Sequence, residues 1–175
     1  IQVKNLKVII REGKIGLDTA HKLAFDYCKK NNYDKLITMD ADFSHEPKEI
    51  QKFISLLDKN NFIIGSRYIK GGKCEMTWYR LLLSFFGNKL IRLVLNIRCN
   101  EFTTSFRGFN LKKLHSFDMN KISSKGYSFF METVFQIHKI AHIKEIPIHF
   151  KNRKFGKSKI PKAEILRTLK NLFYL

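Results

Sequence analysis

Two carboxylates spaced one apart, Asp40 and Asp42, follow directly on the apolar run Leu36-Ile37-Thr38-Met39. A short apolar run of this kind reads as a buried strand. In open α/β sheets the carboxyl ends of strands are where ligands bind. At such an end both side chains lean the same way, and Ala41 between them keeps the gap small. Two hard oxygen donors this close suit Mg²⁺ or Mn²⁺, with phosphate oxygens completing the shell. A turn with two solvated carboxylates has the same spacing, so the rest of the chain must decide between them.

The elements that would position this pair can be read on either side of it. Leu6 to Ile10 reads as a strand running into a basic loop, Arg11-Glu12-Gly13-Lys14-Ile15-Gly16-Leu17. Asp18 is placed to cap a helix whose inner face is Ala20, Leu23, Ala24, Tyr27 and Cys28, spaced by three and four. After the carboxylates, Ser44-His45-Glu46-Pro47 reads as a helix start with Pro47 in the first turn. Ile50, Phe53, Ile54 and Leu57 make the inner face of that helix. Phe62-Ile63-Ile64 is a strand ending at Gly65-Ser66-Arg67-Tyr68. Strand, helix, strand, helix, strand predicts a single α/β domain with a mostly parallel sheet flanked by helices.

Further along, Gly71-Gly72-Lys73 is expected to be mobile. Residues 77–98 are apolar and basic and are expected to form a helix pair broken at Gly87-Asn88. That stretch suits core helices or helices lying in a membrane interface. Glu101 to Arg107 is a hydroxyl-rich loop leading into a strand, Phe106 to Asn110. A helix over residues 129–141 carries Glu132, and Ile146, Ile148 and Phe150 alternate as a strand whose Pro147 suits an edge. The basic tail ends in an amphipathic helix within residues 160–175, the second candidate for a membrane interface.

The charge balance narrows the partners. Thirty-three Lys and Arg against 15 Asp and Glu give +18 over 175 residues, which calls for a polyanionic partner. Sixteen Phe favour a membrane surface over a nucleic-acid groove. No nucleic-acid-binding motif is present. Three scattered cysteines have no metal-ligand spacing, and no run of eighteen apolar residues predicts a membrane span.

Six motifs then occur in order. They are Arg11-Glu12-Gly13-Lys14 with Gly16-Leu17; Asp40-Ala41-Asp42 with Ser44-His45 and Pro47; Gly65-Ser66-Arg67-Tyr68; Thr103 with Ser105-Phe106-Arg107; Gly126-Tyr127 with Phe129 and Glu132; and Glu145-x-Pro147-Ile148 with Arg153, Gly156, Ser158 and Lys159. Together they resemble the dolichyl-phosphate (polyprenyl-phosphate) mannosyltransferases, family 2 glycosyltransferases of the GT-A-type fold. The resemblance implies transfer of mannose from GDP-mannose to a polyprenyl phosphate, with inversion and a bound divalent metal, on the cytoplasmic side of a membrane. By the same resemblance Asp40, Ala41 and Asp42 meet the metal and the nucleotide sugar. Ser44 stands where some members have a Gln metal ligand. Arg67, Arg153 and Lys159 match residues that hold phosphates, with Asp42 and Arg67 at the reacting centre. Thr103, Ser105 and Arg107 match the acceptor-side loop, and Glu132 is counted on that side. An internal Arg107–Glu132 ion pair is the alternative for those two residues.

The chain departs from the family pattern at Asp18, where a Gly is usual, at Glu101 and at its start. Glu101 stands where the family usually has Asp. Family members also begin with two more strands, so the sequence is expected to be the C-terminal two-thirds of a longer enzyme or to work with a partner subunit. Two rival functions remain: another family 2 transferase with a different sugar donor or acceptor, and a non-catalytic basic module on membranes.

Overall fold

The computed structural model describes residues 5–152 and 162–175. In chain order the elements are α1 (Leu17–Lys30), β1 (Lys35–Thr38), α2 (Ile50–Leu57), β2 (Phe62–Ser66), β3 (Lys73–Cys74), α3 (Trp78–Leu95), β4 (Arg107–Asn110), α4 (Tyr127–His138), β5 (Ile143–Pro147), β6 (His149–Phe150) and α5 (Lys162–Leu172). A 3₁₀ turn at Pro47–Glu49 leads into α2, as the proline predicts.

The main sheet has the order β1-β4-β2-β5, and β3 pairs with β6 in a small second sheet. The expected α/β alternation is present, but the sheet is mixed. β2 and β5 run parallel, while β4 lies between β1 and β2 and is antiparallel to both. Its first residue, Arg107, is paired with Thr38 on one side and Ile64 on the other. The reversal has a consequence for the site. The loop that precedes β4 reaches the same rim as the carboxyl ends of β1 and β2.

Alternate residues of the strands feed two apolar clusters, as the two-residue period of a strand requires. Phe62, Ile64, Phe109 and Ile143 join the larger cluster with Phe25 of α1 and Phe130 and Val134 of α4. Ile63 and Ile146 join Phe53 and Leu57 of α2 in the smaller one. β5 is an edge strand, which accommodates Pro147.

Several expectations are corrected. Residues 6–10 form no strand, and Leu6, Val8, Ile9 and Ile10 are exposed. A strand exists by pairing, and this segment has no ladder partner among the described residues. The N-cap of α1 is Gly16 rather than Asp18, which sits inside the first turn, buried, and accepts from the Gly126 amide at 3.3 Å. The buried face of α1 centres on Phe25, while Leu23 is exposed, as is Ile54 on α2. Gly71 and Gly72 form a tight turn rather than a mobile loop. A Cβ on Gly72 would lie 2.7 Å from the Arg67 carbonyl oxygen, so the turn is packed against the end of β2.

The expected helix pair over 77–98 is one unbroken helix, α3. Asn88 does not end it, because its side-chain amide bonds back to the Ser84 carbonyl at 2.8 Å within the helix. Asn88 and Ile91 are its buried residues. Trp78, Phe86 and Leu93 are 74%, 60% and 78% exposed, and Leu82 and Leu90 share that face at spacings of three and four. Among the described residues no helix is long and apolar enough to cross a membrane.

Candidate active site

The ends of β1 and β2, the loop before β4, and helices α3 and α5 enclose a cavity of about 600 Å³. Asp40, Ala41, Asp42, Arg67, Thr103 and Ser105 all line it. Six residues that the sequence singles out separately thus share one wall.

Asp40 and Asp42 lie just past β1, and each is oriented by a hydroxyl. Asp40 Oδ1 accepts from Ser105 Oγ at 2.6 Å. Asp42 Oδ1 accepts from the Ser44 amide at 3.0 Å and from Ser44 Oγ at 2.5 Å. Ser44 is fully buried, and it orients Asp42 from beneath. Thr38 Oγ1 donates to the Ser105 carbonyl at 2.6 Å, which ties the hydroxyl loop to β1 directly. Among the described residues no three His, Cys, Asp or Glu side chains converge as a ready-made metal site. The chain therefore offers a divalent ion two carboxylates on a cavity wall. That set fits Mg²⁺ or Mn²⁺, which take part of their coordination from substrate phosphates and water.

His45 is buried beneath the pair. Its Nδ1 accepts the Asp40 amide at 3.0 Å, and its ring packs 4.9 Å from Phe106 and 5.4 Å from Phe150. Burial lowers its pKa, against the pull of Asp40 and Asp42. With Nδ1 accepting, the neutral ring carries its proton on Nε2. Nε2 is buried and has no partner among the described residues. In sequence His45 looks like part of a helix start; its role under Asp40 becomes visible only in three dimensions.

Arg67 closes the other side of the rim. Its Nε donates to Glu101 Oε2 at 2.7 Å, and Nη2 donates to Glu101 Oε1 at 2.8 Å and to Thr103 Oγ1 at 2.9 Å. Burial alone would lower the guanidinium pKa. The Glu101 charge and its hydrogen bonds outweigh that and hold it above its ordinary value. Conversely, burial works to raise the Glu101 pKa, and Arg67 with Thr103 holds it low.

Arg107 and Glu132 do not pair. Arg107 is buried under the loop and donates to the carbonyls of Thr104, Phe102 and Phe130 at 2.8, 2.9 and 2.9 Å. Glu132 accepts from the amides of Ser123 and Ser124 at 3.2 and 2.8 Å. Both side chains shape the backbone around the site, and neither lines the cavity. The first basic loop reaches it only through Leu17, and Arg11 bonds within its own turn, to the Gly16 carbonyl and Thr19 Oγ1. Arg153 and Lys159 lie outside the described residues.

The rest of the lining is mostly apolar, with Arg80, Ser84 and Asn88 of α3 and Glu164 and Thr168 of α5 among it. Leu83, Leu90 and Ile91 of α3 face Ile165, Leu169 and Leu172 of α5 across the cavity. The sequence shows both helices as amphipathic but not that they meet over the carboxylates.

Comparison with known proteins shows the family. The chain is 33% identical over 161 residues to a polyprenol monophosphomannose synthase of Mycolicibacterium smegmatis, covering 90% of this chain and 61% of that protein. It is 31% identical over 159 residues to an undecaprenyl-phosphate mannosyltransferase of Micrococcus luteus, covering 89% and 65%. The chain thus spans less than two thirds of the length of these relatives. The family described as glycosyl transferase family 2 matches residues 2–117, from before α1 to beyond β4. That span holds the whole polar rim on a GT-A-like mixed sheet, and the chain belongs to glycosyl transferase family 2.

Proposed function

We propose that this chain carries the reacting centre of a polyprenyl-phosphate mannosyltransferase that uses GDP-mannose and a bound Mg²⁺ or Mn²⁺. A phosphate oxygen of the lipid attacks the anomeric carbon of mannose, the bond to GDP breaks, and the configuration inverts. The observation that carries this reading is the double lining of one cavity. Paired carboxylates suit a metal-bound diphosphate, and the apolar walls from α3 and α5 suit the first prenyl units of a lipid. When bound, the metal offsets charge that develops on the leaving diphosphate.

The chain's own residues do the rest. Asp40 and Asp42 hold the metal, with Ser105 and Ser44 fixing their rotamers. Arg67 faces a phosphate, Thr103 and Ser105 lie on the acceptor side, and Arg153 and Lys159 add positive charge to the phosphates. Fixed donors aimed at developing charge lower the barrier without reorganising. The acceptor phosphate is already largely ionised at neutral pH, so the site needs no strong general base. The names of the two relatives support the lipid acceptor and the sugar.

A peripheral position on the cytoplasmic side of a membrane completes the proposal, and the exposed face of α3 supports the membrane contact. Its apolar residues are flanked by exposed Lys89, Arg92 and Arg98. Each such charge near an anionic surface contributes ~1 kcal/mol.

Calorimetry with GDP-mannose, with and without Mn²⁺, tests the donor site. The expected result is metal-dependent binding that Asp42→Ala weakens at least ~100-fold, the effect of removing a ligand from a metal site. Equal binding by Asp42→Ala, or binding indifferent to metal, would sink the assignment. UDP-glucose in place of GDP-mannose separates this reading from another sugar specificity.

A further inference from the structure

We infer that Glu101 is a positioning residue of this site, fixing the Arg67 guanidinium so that its remaining nitrogen, Nη1, meets a phosphate group in the cavity. The inference rests on the transferase reading and adds to it a residue that cannot itself touch substrate. Glu101 is 0% exposed, and Arg67 is 7% exposed along its side chain and lines the cavity.

The geometry is that of a clamp. Glu101 Oε2 accepts from Arg67 Nε, and Oε1 accepts from Arg67 Nη2 and from the Thr103 amide and hydroxyl at 3.1 and 2.9 Å. The rings of Tyr68 and Phe150 lie 5.0 and 5.3 Å from the guanidinium carbon. Two parallel hydrogen bonds and two rings leave the planar group no freedom to swing. Among the described residues, no hydrogen bond uses Nη1. A guanidinium held this way is ready for an anion before the anion arrives, so little ordering remains to be done on binding.

A purely structural role is the weaker account. Burying an ion pair costs several kcal/mol per charge, and a well-packed apolar pair commonly does as well for stability. This pair joins Arg67, just past β2, to Glu101 in the loop before β4. It lies between the two strand-end loops that carry the polar rim.

The test is a binding cycle with two probes, farnesyl phosphate and Mn²⁺-GDP-mannose, on the wild type, Glu101→Gln, Glu101→Asp, Arg67→Met and the double Arg67→Met/Glu101→Gln. Glu101→Gln is expected to weaken one probe about tenfold, the scale of one charge-assisted hydrogen bond. Glu101→Asp, which keeps the charge, is expected to stay within about threefold of wild type. The double variant is expected to bind as Arg67→Met does, because Glu101 acts only through Arg67. Loss confined to farnesyl phosphate puts Arg67 on the acceptor phosphate, and loss confined to GDP-mannose puts it on the donor; either supports the role. Additive losses, or an unchanged Glu101→Gln, overturn it while leaving the transferase reading intact. A wild type that binds neither probe overturns both. Glu101→Gln leaves a buried guanidinium half-paired, so if it does not fold, the double variant decides: affinity below that of Arg67→Met overturns the role.

Discussion

The cavity has two kinds of border, and they are built in opposite ways. The polar rim is fixed from within the chain. Arg67 is held by Glu101, Asp40 by Ser105, Asp42 by Ser44, and the loop before β4 by two hydrogen bonds from Arg107, whose third ties it to Phe130 of α4. The apolar border is one-sided. Helix α3 buries Asn88 and Ile91 and turns Trp78, Phe86 and Leu93 outward. Groups that meet developing charge gain from being rigid before substrate arrives. A helix that lies in a lipid interface needs only an apolar face and a basic flank. The contrast suggests a division of labour, chemistry on the sheet and lipid contact on α3, and that division can be broken experimentally.

The largest effect is expected on the outer face of α3. Replacing both Phe86 and Leu93 by Ser removes two large side chains from any lipid contact, about 3 kcal/mol or more. Binding to phosphatidylcholine–phosphatidylglycerol vesicles should fall about 100-fold in a sedimentation assay. Unfolding stability should move by less than about 0.5 kcal/mol, since neither residue packs in the core. Unchanged vesicle binding would mean that α3 is not the lipid-facing element.

The inner face of α3 is expected to behave differently. Asn88 Oδ1 accepts from the buried Phe102 amide at 2.7 Å, next to Glu101, and Ser84 Oγ accepts from Tyr68 Oη at 2.6 Å, next to Arg67. Each arm of the clamp is therefore tied to α3 by its neighbour in sequence. Asn88→Ala strands the Phe102 N–H and should cost about 2 kcal/mol, read as a lower urea midpoint at constant slope. A loss under about 0.5 kcal/mol would show that the rim stands without the helix, and the two borders would then be independent.

How much of this was legible in sequence depends on the range of each interaction. The strand before Asp40, the Pro47 turn and the strand to Ser66 depend on local pattern and appear where it puts them, and helix α4 appears over Tyr127–His138 rather than 129–141. The direction of β4 does not. Arg107-Gly108-Phe109-Asn110 reads as a strand, but nothing local states that it inserts backwards between β1 and β2, and that insertion is what brings Ser105 to Asp40. The Arg67–Glu101 pair spans 34 residues and the Ser105–Asp40 bond 65, so both become visible only once the strands are in order. Gly87-Asn88 misleads for a local reason, because a poor helix former is tolerated where its side chain serves both the helix and a neighbouring loop. The apolar segment 6–10 misleads for the opposite reason: its pattern is that of a strand, and a strand needs a partner.

The smallest effect concerns the underside of the rim. His21 of α1 packs against Phe129 and Phe130 of α4, with ring centroids at 5.7 and 5.1 Å. Burial, helped by Arg107 and opposed by Asp40 and Asp18, lowers its pKa from 6.5 to about 4. The folded value lies below the unfolded one, so the unfolded chain takes up the proton first. Stability is fully present above pH ~6.5, and falls as the pH drops from there toward about 4. At pH 5.5 the His21 contribution to that loss is about 1 kcal/mol. Denaturant titrations of wild type and His21→Gln at pH 7.5 and 5.5 read it directly. The gap between the two proteins should shift by that amount in favour of Gln at the lower pH, because Gln has no proton to take up. No comparable buried histidine lies on α3, so mild acid should loosen the rim side of the cavity before the lipid side. A gap that does not move with pH would mean that His21 is solvated or already charged in the folded state.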